Sequence, residues 1–96
     1  MNNVKRLYEQ LGQLPWSALA ACVGDFALYE SLLVGCADRV AKGHLLDMSK
    51  IPAPDQGTVD AVSALRKRPV PTEEEQRFLE YYDLLEQIRV ALVSGS

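Results

Sequence analysis

Residues that commonly carry chemistry are scarce in this chain. Its 96 residues include one histidine and two cysteines, so no Cys-x-x-Cys or His-Glu-x-x-His metal site can form. Glycine-rich phosphate loops, nucleophile elbows and calcium-loop spacings are also missing. Cys22 or Cys36 could pair with His44, but both thiols lie in apolar patterns, which raise the pKa of a thiol and disfavour nucleophilic attack. We therefore expect a protein that is not an enzyme and that holds neither a metal nor a cofactor.

The sequence also lacks a long apolar run and any sign of β-structure. Its longest stretch without charge, between Glu9 and Asp25, is shorter than the ~20 residues that cross a bilayer. No alternating apolar and polar segment and no Asn-Gly or Asp-Gly turn is present, so a sheet is not expected. We expect a soluble, cytoplasmic protein with no membrane partner. In that compartment Cys22 and Cys36 are expected as reduced core residues, and a disulfide between them stays open.

Basic charge is in short supply too. Ten Lys and Arg residues against 13 Asp and Glu residues give a formal net charge of -3, the wrong sign for a general phosphate-binding protein. A helix-turn-helix pattern tested over residues 19–33 fails, because Asp25 and Glu30 stand where that motif needs apolar side chains. No Lys or Arg lies between Arg6 and Arg39. Nucleic acid is therefore not the expected partner.

What the sequence does contain is a strong helical pattern. Apolar residues recur at three- and four-residue spacing along most of the chain, as in amphipathic helices. With 48% hydrophobic and 24% charged residues, the composition is that of one globular domain spanning residues 1–96. We predict an all-α fold, a compact bundle of four to five helices with a proline-containing linker. The predicted helices cover residues 3–13, 15–24, 26–42, 58–68 and 73–93, and the linker covers residues 44–57.

Local signals predict where these helices begin and end. Thr58 is predicted to cap the fourth helix, and Gly43 to end the third. Thr72 stands three residues before Glu75, which predicts a capping box at the start of the last helix. Gly35, inside the third helix, is predicted to mark the close approach of another helix. Four apolar residues of the linker are expected to anchor it to the core: Leu45, Leu46, Met48 and Ile51.

The last helix carries an apolar stripe that is wider than a thin bundle needs. Phe78, Tyr82 and, on the third helix, Tyr29 are expected in the core. Tyr81 and Tyr82 point about 100° apart on a helix, so both are buried only where the helix is covered over a wide arc. A partner protein or a second copy of the chain could supply that cover. The predicted partner-binding residues are Trp16, Tyr81, Tyr82, Leu85, Ile88 and Leu92.

These features predict a non-enzymatic protein–protein interaction module, a small adaptor or chaperone-like protein. It would bind a partner helix, or its own copy as a homodimer, through an apolar surface. The charged rim that would set the choice of partner consists of Arg66, Lys67, Arg68 and Glu74. The alternative is a small transcriptional or nucleic-acid-binding regulator, in which the basic residues of this rim converge with Lys5 and Arg6 on one face. A third hypothesis, an enzyme that uses His44 and Asp47, has the least support.

Overall fold

The computed structural model describes residues 3–14, 19, 23 and 25–94. Within these ranges the chain forms four α-helices, one short 3₁₀ turn and no strand, which confirms the predicted all-α bundle. The elements are α1 (Asn3–Leu11), α2 (Phe26–Ala41), the 3₁₀ turn (Met48–Lys50), α3 (Gln56–Arg66) and α4 (Glu73–Val93). The helix predicted over residues 15–24 lies outside the described residues. None of the described helices is long and apolar enough to cross a membrane.

Helix α4 spans the range that the sequence predicts, and its capping box is confirmed. The Glu75 backbone N–H donates to the Thr72 hydroxyl at 3.1 Å, while the Thr72 backbone N–H donates to the Glu75 carboxylate at 2.7 Å. Each side chain thus satisfies a backbone donor that the helix itself leaves free. Arg77 forms ion pairs with Glu73 and Glu74 on the same turn.

Helix α3 begins earlier than predicted, because the prediction of Thr58 as its cap is wrong. The cap is Asp55, whose carboxylate accepts from the Thr58 backbone N–H at 3.2 Å and from the Thr58 hydroxyl at 2.5 Å. Thr58 is fully buried inside the first turn. A carboxylate caps a helix as well as a threonine hydroxyl does, and the positive N-terminal end of the helix dipole also stabilises its negative charge. The linker therefore ends at residue 55, and α3 ends at Arg66 rather than at residue 68.

Gly35 inside α2 and Gly43 just after its end have different roles. Gly43 has φ of 85°, and it closes the helix as predicted. Its N–H donates to the Val40 carbonyl at 3.0 Å and the next N–H, of His44, donates to the Arg39 carbonyl at 2.9 Å, a Schellman motif. Within the described chain the prediction for Gly35 is not met, since a Cβ at that position would have no atom within 4 Å apart from its chain neighbours and the backbone of its own helix. No helix of the described chain approaches Gly35.

The linker runs back along α2 from its C-terminal end to its N-terminal end. The Cys36 thiol lies 3.8 Å from the Lys50 carbonyl oxygen, and the Asp55 carboxylate accepts a hydrogen bond from the backbone of Asp25. Two of the four predicted anchors, Leu46 and Ile51, are partly buried against the core. The other two are not anchors, because Leu45 is 95% exposed and Met48 is 51% exposed.

Helix α4 is the central element of the bundle. It packs against α1, α2 and α3, and α1 also packs against α2. At the crossing of α2 and α4, Phe26 stands edge-on to Phe78 with ring centroids 5.0 Å apart, and Tyr29 and Tyr82 surround this pair. All four rings are buried, which confirms the predicted core positions of Phe78, Tyr82 and Tyr29.

Candidate functional site

Four of the predicted partner-binding residues belong to the core of the chain itself. Tyr82, Leu85, Ile88 and Leu92 are each at most 6% exposed. Their burial follows from the central position of α4, which three other helices cover. In the folded chain these four side chains therefore offer little surface to a partner, and their role in binding one stays a prediction.

Tyr81 is half-buried, and Trp16 lies outside the described residues. The Tyr81 ring packs edge-on against Phe26, with centroids 6.2 Å apart, and its hydroxyl is hydrogen-bonded to Glu30. Burial, together with the neighbouring Glu30 carboxylate, raises the pKa of Tyr81 well above its usual range. Helix α2 of the same chain therefore covers both Tyr81 and Tyr82.

The predicted charged rim is largely engaged in ion pairs within the chain. Arg66 pairs with Asp83 of α4, and Arg68 Nε lies 3.0 Å from a carboxylate oxygen of Glu75. These pairs tie the end of α3 and the segment after it to α4. Glu74 contacts Arg77 on its own helix at 3.3 Å, and Lys67 is exposed. A role of these residues in the choice of partner stays a prediction.

Exposed apolar side chains concentrate on another part of the molecule, α2 and the linker. Among the described residues, eight large apolar side chains are exposed. Four of them lie on α2 or directly after it: Leu28, Leu32, Leu45 and Met48. The remaining four are dispersed over α3, the segment before α4 and the C-terminal turns of α4: Val59, Val70, Val90 and Val93.

Leu28 and Leu32 stand on the face of α2 that points away from the core. The buried residues of this helix include Tyr29, Leu33 and Cys36. Because successive residues are separated by about 100°, Leu28, Leu32, Gly35 and Arg39 fall on one narrow outward stripe. We call these four residues the outer stripe. Leu28 is 62% exposed and Leu32 is 51% exposed.

A groove runs between the outer stripe and the linker. Its volume is about 290 Å³. Gly35 forms an open part of its floor, since a Cβ at that position would meet no described atom within 4 Å. Burial raises the pKa of the Cys36 thiol in its wall, which keeps that thiol protonated and apolar in character. The lining residues are Ser31, Leu32, Gly35, Cys36, Arg39, Leu46, Asp47 and Lys50.

Sequence reasoning missed the outer stripe although its signal is present. Leu28, Leu32 and Gly35 have the four- and three-residue spacing of a helix interface. When α2 is taken to have a single apolar face, Leu32 falls in the core stripe beside Tyr29 and Leu33, and the second face is hidden. The spacing therefore indicates a second apolar face, and only the tertiary packing shows that Leu32 belongs to it, since this side chain is 51% exposed.

Of the other cavities on the described surface, two are lined by both acidic and basic residues, and the smaller of these shares Arg39 with the outer stripe. The larger has a volume of about 460 Å³ and lies between α1 and α4. Its lining includes Arg6, Asp83, Glu86 and Val90. The smaller, of about 230 Å³, lies at the C-terminal end of α2 and is lined by Asp38, Arg39, Lys42 and His44.

The two residues of the enzyme hypothesis, His44 and Asp47, are both exposed. Asp47 accepts hydrogen bonds from the backbone N–H of Ser49 at 3.0 Å and from its hydroxyl at 2.7 Å. These bonds lower the pKa of the Asp47 carboxyl. Within the part of the chain that the structure describes, no three His, Cys, Asp or Glu side chains are grouped to hold a metal ion.

The basic residues of the regulator hypothesis are partly compensated. Arg66 and Arg68 face carboxylates of α4, and Arg6 lines a cavity beside Asp83 and Glu86. Phosphate binding would have to compete with these carboxylates.

Comparison with known proteins gives no further assignment. No family model, no curated protein and no solved structure matches this chain.

Proposed function

We propose that this protein is a non-enzymatic interaction module that binds a helix of a protein partner in the groove along α2. The observation that carries the proposal is the outer stripe, where Leu28 and Leu32 are more than half exposed beside the open position of Gly35. This assignment keeps the predicted class of function and moves the binding surface from α4 to α2.

Helix binding fits the shape and chemistry of the groove. An apolar side chain of a partner helix could enter the open space above Gly35, because small residues let two helices approach closely. Fully burying one leucine side chain contributes roughly 1.5–3 kcal/mol. The two leucines of the outer stripe form an apolar centre of the kind that carries most of the energy of an interface.

Charges at the edge of the groove would orient the partner. Arg39, Asp47 and Lys50 all line it. Rim charges of this kind contribute more to specificity and to the rate of encounter than to affinity. A bound helix would therefore have apolar residues at three- and four-residue spacing with charged side chains at the ends of that apolar stripe.

Site-specific photo-crosslinking in the cells of origin tests this proposal. A photoreactive amino acid replaces Leu32 in one variant and, as the matched control, Val90 in another, because Val90 is a similarly exposed apolar residue on α4. We expect the Leu32 variant to capture one defined helical segment. The purified partner should then bind the unmodified protein, and Leu32→Asp should weaken that binding at least about tenfold while Val90→Asp does not.

Three outcomes would contradict the proposal. Capture only at the Val90 position would return the surface to α4. Capture of nucleic acid, with binding that falls steeply as salt rises, would favour the regulator hypothesis. Absence of any discrete product at the Leu32 position would leave the groove without the proposed role.

A further inference from the structure

We infer that the helix bound in the groove is α2 of a second copy of this chain, in an antiparallel, two-fold symmetric pair. This inference rests on the proposed function and names its partner. Three observations carry it: the spacing of the outer stripe, the charges at its two ends, and the empty position at Gly35.

The spacing of the outer stripe is the same when read in either direction along α2. Extended by one contact position at each end, it comprises Asp25, Leu28, Leu32, Gly35, Arg39 and Lys42, separated by three, four, three, four and three residues. This alternation of three and four is the contact pattern of two packed helices. In an antiparallel pair centred between residues 33 and 34, every position of the extended stripe meets another position of the same stripe.

The charges at the ends of the extended stripe are complementary in that arrangement. Asp25 precedes the first residue of α2, and Lys42 follows its last residue. The antiparallel pair places Asp25 of each copy opposite Lys42 of the other. A parallel pair would instead place like charges together, which disfavours it.

Both groups are exposed. Asp25 has no hydrogen bond from its side chain to the start of α2, and the Lys42 side chain is 64% exposed although its amino group also contacts Asp38 at 3.0 Å. A bound carboxylate could share the Lys42 ammonium, which has three donors.

The centre of the pair joins a protruding side chain to an empty position. Leu32, which is 51% exposed, would lie opposite Gly35 of the other copy, where no described atom occupies the space of a Cβ. Because the pair is symmetric, this contact occurs twice. Next to it, Leu28 would lie under the aliphatic part of Arg39 of the other copy, whose guanidinium can remain in solvent.

Glycine at position 35 is otherwise costly. A glycine in the interior of an exposed helix weakens that helix relative to alanine, and Gly35 serves no contact within the described chain. Close approach of a second α2 gives this residue a function. The linker residues Leu45 and Met48, which follow α2 in the chain and are both exposed, are available to enlarge an interface that a single helix pair leaves small.

Sedimentation velocity over a roughly hundredfold range of protein concentration tests the pair, since association follows mass action. We expect a monomer–dimer equilibrium in the unmodified chain. Leu32→Asp should raise the dissociation constant at least about tenfold, and Val90→Asp, the matched control on α4, should leave it within about twofold. Gly35→Leu should also raise it about tenfold by filling the empty position, while thermal unfolding of the dilute protein shows a stable fold.

Charge reversal tests the register of the pair. Asp25→Lys and Lys42→Asp should each raise the dissociation constant roughly fivefold, and the double variant should return it to within about twofold of the original value. Each single change places an unfavourable charge at one end of the dipole of α2. Recovery of the dissociation constant in the double variant therefore indicates that residues 25 and 42 pair across the interface.

The inference and the proposed function can fail separately. A chain that stays monomeric at every concentration, or a dimer that Leu32→Asp leaves intact, overturns the inference. A dimer that responds to Leu32→Asp but not to charge reversal overturns the antiparallel arrangement. In each of these cases capture of a helix from a different protein at the Leu32 position would still support the proposed function.

Discussion

At the scale of single residues, α2 contains two glycines whose backbone environments are opposite. Gly35 lies in the regular helix with open space around it, whereas Gly43 has φ of 85° at the helix end. Alanine suits the first environment and is strained in the second, because a Cβ disfavours the left-handed region. The same substitution should therefore have opposite effects at the two positions.

We predict that Gly35→Ala raises the free energy of unfolding of the dilute protein by roughly 0.5–1 kcal/mol. Gly43→Ala should lower it by roughly 1–2 kcal/mol, because it strains the Schellman motif. Urea unfolding followed by circular dichroism measures both values. Equal signs for the two substitutions would contradict the assigned backbone conformations.

Phe26 is the residue on which the aromatic core depends most. It is fully buried, and its ring lies within 6.2 Å of the rings of Tyr29, Phe78, Tyr81 and Tyr82. No other described ring contacts all the remaining members of this cluster. Its removal would leave a cavity at the junction of α2 and α4.

We predict that Phe26→Ala lowers the free energy of unfolding by about 3–5 kcal/mol. For a domain of this size, with a total stability of about 5–15 kcal/mol, that loss is a substantial fraction of the total and should markedly lower the unfolding temperature. Leu28→Ala on the same helix is the matched control and should change stability by less than about 0.5 kcal/mol, because Leu28 is exposed. Thermal unfolding of the two variants at low protein concentration measures both changes in stability.

At the scale of elements, α3 is the helix with the fewest attachments. Its only substantial contact with another helix is with α4. Its ends are held by the Asp55 cap and by the ion pairs of Arg66 and Arg68. An element with few buried contacts opens before the rest of the structure does. Loss of the Asp55 cap should therefore be detectable as faster hydrogen exchange of the backbone amides of α3.

We predict that acid loosens α3 first. Hydrogen bonds from Thr58 lower the pKa of the Asp55 carboxyl relative to the unfolded chain. The folded state consequently binds fewer protons, and the stabilisation is present above the ordinary aspartate pKa of about 4 and is lost as pH falls through the folded value. Amide hydrogen exchange by nuclear magnetic resonance should show early loss of protection in α3 with acid.

The substitution Asp55→Asn provides the control for this measurement, since asparagine caps a helix without titrating. In that variant, protection of α3 should not depend on pH more steeply than protection of α2. Unchanged acid sensitivity of α3 in Asp55→Asn would assign the effect to other carboxylates.

How far the sequence predicts an element depends on how local its signals are. The range of α4 and its capping box follow from Thr72, Glu75 and one apolar period, all within a few residues. The start of α3 was misplaced because Asp55 and Thr58 are both good caps, and only the burial of Thr58 against the core decides between them. The outer stripe of α2 needed tertiary information, since which leucines face α4 and which face outward is not contained in their spacing alone.

At the scale of the whole molecule, the four tyrosines share a property that affects stability in alkali. The pKa values of Tyr8, Tyr29, Tyr81 and Tyr82 are all raised, in each case chiefly by burial. For Tyr29 the hydrogen bond to Glu86, at 2.5 Å, adds to the effect. Ionising any of them inside the fold would place a phenolate in apolar surroundings or beside a carboxylate.

We predict cooperative alkaline unfolding in which Tyr29, Tyr81 and Tyr82, the three tyrosines packed around Phe26, ionise together. Because their pKa values are raised in the folded state, the stabilisation is complete below the ordinary tyrosine pKa of about 10 and is lost as pH rises beyond it. Most of the tyrosinate absorbance should appear in one steep step that coincides with loss of the helical circular dichroism. In urea the tyrosines should titrate gradually near pH 10, and gradual titration of the native protein would contradict the burial of the three rings.

The central position of α4 also has a consequence for synthesis of the chain on the ribosome. Helices α1, α2 and α3 are made first, yet each of them packs against α4, which is made after them. At a synthesis rate of about 5–20 residues per second, the apolar faces of the earlier helices stay uncovered by α4 for about a second or longer, until residues 73–93 have been made. During that interval the nascent chain presents uncovered apolar surface, so a translation-paused or truncated product that ends before α4 should engage chaperones that the finished protein does not need.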